Sequence, residues 1–316
     1  MIIDSILEQS KDVLSVRYGI KIQNFSFVVR ETNGGLNSVV YVVELFNRNV
    51  ATATIAIKLF SQKNQENSQI EYDIVTVLYS TKSFVAEPLF QYSGNESIPP
   101  YNIMEYVEGV VLSETPIVFV EGKKIIDLIR SHQEILQTHK TLFSGKSFYK
   151  NINNFIEYEK KIEQLANQYL TDVALVVVPT GINTLLNSMV IMNQRSIVTD
   201  RSSANCVRTL ENEFYLIDFS TVRIGTIFDN FLQWLDDPKT LLTDTDREAL
   251  VEYVQDSYTT ITKDQYYAAA LYTNFLQAVF NREGNKTISN LYIKKVNYYY
   301  QMLYKTKGIL LDCNMP

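Results

Sequence analysis

Three oxygen-bearing side chains punctuate one short stretch of this chain. In "IVTDRSSANCVRTLENEFYLIDFS", residues 197–220, Asp200 is followed five positions on by Asn205, and Asp218 closes the apolar run "FYLID". "RSIV", "NCVR" and "FYLID" read as short strands, and "NCVRTLENEFYLID" reads as a hairpin turning at "LENE". Antiparallel pairing then brings Asn205, at the start of one strand, beside Asp218, at the end of the other. Asp200 lies on the loop before them. Carboxylate and amide oxygens gathered in this way suit Mg²⁺, a hard cation that shares its coordination with phosphate oxygens. A further carboxylate orients an attacking hydroxyl and takes its proton. On this reading Asp200 is the base, and Asn205 and Asp218 hold the metal. The segment alone fits equally a turn Asp, a strand-start Asn and a strand-end Asp without chemistry, because Asp and Asn are ordinary turn residues.

The chain around this stretch has 316 residues, 46% of them apolar, which suffices for one large or two smaller domains with a sizeable core. Its formal net charge is −6 and no dense Lys/Arg run appears, which argues against a broad nucleic-acid surface. Cys206 and Cys313 match no zinc spacing and no CxxC motif, and two thiols make a poor disulfide framework. A reducing cytoplasm is therefore the expected location. The first residues, "MIIDSILEQSKDVLSV", lack the basic start and long apolar run of a signal peptide. No apolar run approaches the roughly 18 residues of a membrane helix, so no membrane partner is expected. With 21 Tyr and 16 Phe, many aromatics should be core, with the Tyr hydroxyls at its edge.

The elements that would position the candidate residues follow from periodicity. Ile3, Ile6, Leu7, Val13 and Leu14 stand near helical spacing. Residues 24–60 are rich in Val, Ile, Phe, Tyr and Thr and are broken by "NGG" at 33–35 and "NRN" at 47–49. They predict three antiparallel strands. "NQENSQIEYDIVTVLYS" predicts a helix with Ile70, Ile74, Val77 and Leu78 on one face, followed by a strand pair in "AEPLFQYSG" and "PYNIMEYVEG". Beyond Gly109 the pattern turns helical: "EGKKIIDLIRSHQEILQTHK", "INNFIEYEKKIEQLANQYL", residues 181–193, "DREALVEYVQDSY", "QYYAAALYTNFLQAVFNR" and "SNLYIKKVNYYYQMLY".

Asp200, four residues, then Asn205 resembles the catalytic loop HRDxxxxN of protein kinases, and HGDxxxxN of the aminoglycoside phosphotransferase and choline kinase-like family. "YLIDFS" is similar to the family's apolar strand ending in Asp-Phe or Asp-Trp. "GTIFDNFLQWL" is similar to the following segment, where an Asp, here Asp229, precedes an apolar helix in a structural role. "TNGGLNSVVYVV" resembles the family's phosphate-covering hairpin, although Asn-Gly also suits a plain turn.

The resemblance spans roughly residues 25–235. It implies an α+β, bilobal protein-kinase-like fold: a small antiparallel-sheet N-lobe with one main helix (1–108) and a larger, mostly helical C-lobe (109–316). It further implies that Gly34, Gly35, Asn37 and Ser38 cover nucleotide phosphates. Lys58, in "TIAIKLF", holds them, and Glu71 orients the lysine in preference to Glu66. Met104, Glu105, Tyr106 and Val107 flank the base, and Asn205 and Asp218 hold Mg²⁺. The implied activity is transfer of the γ-phosphate of ATP or GTP, through Asp200, to a hydroxyl of a small molecule: an aminoglycoside, a sugar, a choline-like compound or a nucleoside. The alternative is a nucleotide-binding pseudokinase without turnover. Val198 replaces the family His, Arg201, Ser202 and Ser203 replace its Leu-His-Pro, and Ser220 stands where protein kinases have Gly. No Ala-Pro-Glu motif follows Asp218, which argues against a protein kinase. His132 and His139 fall on a predicted helix, and His139 reads as structural. Asp236, Asp237, Asp244 and Asp246 would either meet an amine-bearing acceptor or form a solvated face. The tyrosines at 266, 267, 272 and 298–300 would either cage a cation or, for the most part, be core.

Overall fold

Alternation of apolar residues along residues 25–60 produces the sheet at the start of the chain in the computed structural model, which describes residues 2–31, 38–147, 164, 195–258, 262–282 and 284–307. The chain divides into two compact units. One comprises Met1–Gly109 and Thr209–Thr221, the other Val110–Arg208 and Val222–Pro316.

In the first unit, helix α1 (Ile2–Tyr18) precedes β1 (Phe25–Glu31), β2 (Ser38–Asn47) and β3 (Val50–Phe60). Helix α2 (Gln65–Ser80), β4 (Pro88–Tyr92) and β5 (Tyr101–Glu105) follow. The five strands form one antiparallel sheet in the order β1-β2-β3-β5-β4. Because side chains alternate across a strand, Ile55, Ile57 and Leu59 of β3 share one face with Tyr101 and Ile103 of β5. They form a core with Ile3, Ile6, Leu7 and Leu14 of α1. Val13, expected on that apolar helix face, is instead 41% exposed; it lies at the edge of the arc that Ile3, Ile6, Leu7 and Leu14 bury. Lys58 and Asn102, paired directly across β3 and β5, face the other way and meet α2.

The second unit holds β6 (Val110–Val111), α3 (Phe119–Thr138), β7 (Arg195–Thr199), β8 (Cys206–Arg208), β10 (Val222–Thr226), α4 (Asp229–Leu235), α5 (Asp244–Asp256), α6 (Lys263–Arg282) and α7 (Lys286–Lys307), while β9 (Phe214–Leu216) belongs to the first. Helices α6 and α7 pack against each other, and α3 packs on α5. Gly122 permits the latter approach, since a Cβ there would lie 2.5 Å from Leu250 Cδ1. Strand β7 pairs antiparallel with β10. No described helix is long and apolar enough to cross a membrane. Apart from residue 164, the helices expected over 152–170 and 181–193 lie outside the described residues, as does Cys313.

Candidate active site

Lys58 lies near the end of β3, the central strand of its sheet, on the face that α2 covers, so its side chain is shut off from water. It is 3% exposed. Its ammonium lies 2.9 Å from Glu71 Oε1 and 2.7 Å from Asp218 Oδ1, and 5.2 Å above the Phe60 ring. Glu71 lies on the face of α2 that covers β3 and is fully buried, whereas Glu66, one turn earlier, is exposed. Glu71 Oε1 also accepts the Phe219 N–H at 2.9 Å, and Oε2 accepts from Asn102 Nδ2 at 3.4 Å. Asn102 is fixed in turn by Ser68, through its hydroxyl and its carbonyl. A single carboxylate therefore ties α2, β3, β5 and the segment after β9.

Asp218 has a left-handed backbone, with φ of 57°, a conformation that costs a side-chain-bearing residue strain unless its surroundings impose it. The Phe219 N–H on Glu71 and the Ser220 N–H on Asp218 Oδ1 supply that constraint. Oδ1 accepts three donors: Lys58 Nζ, Ser220 N at 3.1 Å and Ser220 Oγ at 2.6 Å. Burial pushes the Asp218 carboxyl up, but the Lys58 ammonium and the Ser220 donors outweigh it and hold it below its usual range. Burial likewise opposes the Lys58 charge, and Glu71 with Asp218 reverses the effect, so its pKa is raised. Burial pushes the Glu71 carboxyl up against the pull of Lys58.

The expected turn at "LENE" is present within Thr209–Glu213. The Thr209 N–H donates to the Glu213 carbonyl at 2.9 Å, and Asn212 takes a φ of 60°. Asp200 follows β7. Its Oδ1 accepts the Ser202 N–H at 3.1 Å, and its carbonyl accepts from Asn205 Nδ2 at 3.3 Å, which closes the loop from Asp200 to Asn205. Ser38 opens β2, Met104 and Glu105 end β5, and Tyr106 and Val107 follow them. Gly34, Gly35 and Asn37 lie outside the described residues.

Several residues with a part in this architecture were not singled out from sequence, or, like Asp237, were singled out for another role. Asn102 stands alone as a polar residue in the apolar strand "YNIM". Asn230, Gln233 and Asp237 stand on the otherwise apolar stretch "DNFLQWLDD", and each bonds the backbone of residues 197–203. Polar residues inside buried elements were the available signal, because such groups must find partners. Asp229 is structural, as expected: it accepts from Thr226, Thr273 and Arg223. Asp244 is exposed, as a solvated face requires, but Asp236 and Asp237 depart from both expectations. They are 3% and 5% exposed and already engaged, Asp236 by Asn274, Lys295 and Tyr299 and Asp237 by Ser203 and Lys239. Asp246 accepts the Phe119 N–H at the start of α3. Tyr266, Tyr272, Tyr299 and Tyr300 are core, and Tyr298 is 49% exposed. His139 Nδ1 lies 2.9 Å from the Ile135 carbonyl, a helix-end contact. Burial, and secondarily Arg201, keeps the His132 pKa well below the usual range.

No protein-family model matches the chain, and no curated protein sequence matches it. Solved structures do. A choline kinase from Cryptosporidium parvum Iowa II superposes with a TM-score of 0.64 at 12% identity, covering 97% of each chain. LicA in complex with AMP gives 0.57 at 14% identity over 96% of this chain and 98% of its own. A thermostable mutant of aminoglycoside phosphotransferase APH(4)-Ia, with ADP and hygromycin B, gives 0.53 at 14% identity over 92% and 97%. The chain thus has the protein-kinase-like fold shared by choline kinases and aminoglycoside phosphotransferases.

Proposed function

We propose that this protein is a phosphotransferase that moves the γ-phosphate of ATP or GTP to a hydroxyl of a small molecule. The Lys58–Glu71–Asp218 cluster carries the reading: a buried ammonium is kept charged by one buried carboxylate and one ionised, partly exposed carboxylate. A cation held this way suits phosphate oxygens better than it suits stability, because buried ion pairs contribute little net stability. In this reading Lys58 binds the α/β-phosphates and Glu71 aims it. Gly34, Gly35, Asn37 and Ser38 cover the phosphates, and Met104, Glu105, Tyr106 and Val107 flank the base. The neighbours LicA, with AMP, and APH(4)-Ia, with ADP and hygromycin B, support nucleotide use on this fold.

Asp218 also suits Mg²⁺. Its side chain is 38% exposed and ionised, and all its recorded donors among the described residues fall on Oδ1, leaving Oδ2 for a hard cation. Asn205 commits its Nδ2 to the Asp200 carbonyl and keeps Oδ1 as an acceptor. Among the described residues no three His, Cys, Asp or Glu side chains gather as a ligand set. Mg²⁺ bound through one or two protein oxygens plus phosphates needs none. When bound, it neutralises phosphate charge. Asp200 orients the acceptor hydroxyl and takes its proton, and most of the rate comes from positioning and charge neutralisation. The acceptors in view are an aminoglycoside, a sugar, a choline-like compound or a nucleoside, and a cytoplasmic location fits the nucleotide supply.

Thermal unfolding with Mg²⁺-ATP and Mg²⁺-GTP tests the nucleotide half of the reading. Ligand at about 100 times its dissociation constant adds about 2.7 kcal/mol. Wild type should gain stability with at least one nucleotide, in a metal-dependent manner, and Asp218→Ala should lose that gain. No gain with either nucleotide contradicts the reading.

A further inference from the structure

Strand β7 has β10 on one side and no strand on the other among the described residues. Its free edge nevertheless finds partners. The Asn230 carboxamide donates to the Ile197 carbonyl at 3.2 Å and accepts the Thr199 N–H at 3.1 Å, standing in for the peptide group of a missing neighbour strand. The same row continues past the end of the strand. Gln233 Oε1 accepts the Arg201 N–H at 3.1 Å. Asp237 Oδ2 accepts both the Ser203 N–H and the Ser203 hydroxyl, each at 2.7 Å. Asp237 Oδ1 is held by the Lys239 N–H at 2.9 Å.

The spacing explains the match. Ile197 and Thr199 turn their backbone groups to one side of β7, at a period of two, and the N–H groups of Arg201 and Ser203, past the end of the strand, meet the same row of side chains. Asn230 and Gln233 fall on one side of α4, at about 100° per residue, and Asp237 follows two residues past the end of that helix. Asp200 sits between Thr199, held by Asn230, and Arg201, held by Gln233. All three gripping side chains are at most 7% exposed, so water does not compete for these bonds.

We propose that Asn230, Gln233 and Asp237 are positioning residues that fix the backbone path of residues 197–203 and thereby aim the Asp200 carboxylate. The proposal rests on the catalytic reading of Asp200 given above. Losing a rung leaves a buried N–H without an acceptor and frees the loop on one side of Asp200. The expected loss is in turnover, not in nucleotide binding, because no rung belongs to the residues assigned to the nucleotide.

The test compares wild type with Gln233→Leu, Gln233→Glu and Asp237→Asn, alone and combined with Asp200→Asn. Amide hydrogen exchange at Thr199, Arg201 and Ser203 reads the ladder, and phosphate release from Mg²⁺-ATP reads Asp200. In Gln233→Leu the Arg201 amide should exchange at least about tenfold faster, as a locally opened segment does. Phosphate release should fall at least about tenfold with ATP affinity held within about twofold. Gln233→Glu keeps an acceptor oxygen and should restore much of both. Asp237→Asn also keeps an acceptor and should be milder than Gln233→Leu, which checks that the leucine effect is not general unfolding. In the Asp200→Asn background the same changes should add little, since they act through that carboxylate. Unchanged exchange at Arg201, full additivity with Asp200→Asn, or a parallel fall in ATP affinity overturns the proposal. If Asp200→Asn itself leaves phosphate release unaltered, the catalytic reading fails, and the exchange result alone decides the ladder.

Discussion

At the scale of single residues, Lys58 decides the most. Apolar alternation along β3 allowed its side chain to point at solvent, and only the helix covering that face removes this option. With Glu71 fully buried beside it, loss of the ammonium strands a charge in the interior. Lys58→Met, which keeps the aliphatic stem, should cost about 3–5 kcal/mol in urea unfolding. Adding Glu71→Gln should recover part of that loss, because the amide still accepts the Phe219 N–H without carrying a charge. A change below about 0.5 kcal/mol in Lys58→Met, the size of an ordinary surface substitution, would contradict this account. The sequence pointed to Lys58 and Glu71 as partners through the resemblance. It did not show Asn102 and Ser68 behind them, since a lone Asn in a strand carries no spacing pattern.

At the scale of elements, punctuation was the most readable feature. "NRN" predicted a tight connection, and Asn47 pairs with Val50 across it while Arg48 and Asn49 take φ of 51° and 65°. Two successive left-handed residues match the twist of a hairpin but strain a side-chain-bearing backbone. The double change Arg48→Asn with Asn49→Gly should therefore raise stability by about 1 kcal/mol, visible as a higher melting midpoint. An unchanged or lower midpoint contradicts the turn assignment. Helix α4 was legible only in part. Its apolar residues announced a buried element, yet nothing in the sequence gives a role to the polar stripe of Asn230, Gln233 and, past the helix end, Asp237. Only the position of β7 turns that stripe into a row of acceptors. Asp236 was misread for the same reason: its partners Asn274, Lys295 and Tyr299 come from α6 and α7, and nothing local marks them.

At the scale of the whole molecule, the chain enters its first unit twice. The first stretch ends at Gly109, and residues 209–221 return to it. No shift of composition marks the return. It is fixed by bonds between residues 148 and 160 positions apart in sequence, Phe219 N–H to Glu71 and Lys58 to Asp218. These bonds bring the apolar run "FYLID" to the strand lysine. The kinase-like fold was legible because its motifs recur in order. The acceptor was not, because Asp236 and Asp237, two of the acidic residues expected to receive it, are spent on internal contacts. The measurement that bears most directly on the central claim is transfer of label from γ-labelled ATP and GTP to a panel of amine-bearing alcohols, sugars and nucleosides, with Mg²⁺ and with chelator, for wild type and Asp200→Asn. The account predicts Mg²⁺-dependent labelling of at least one hydroxyl compound, reduced by orders of magnitude in Asp200→Asn, in keeping with the size of general-base effects. Equal labelling by wild type and Asp200→Asn would contradict it, as would wild type that binds nucleotide and labels nothing.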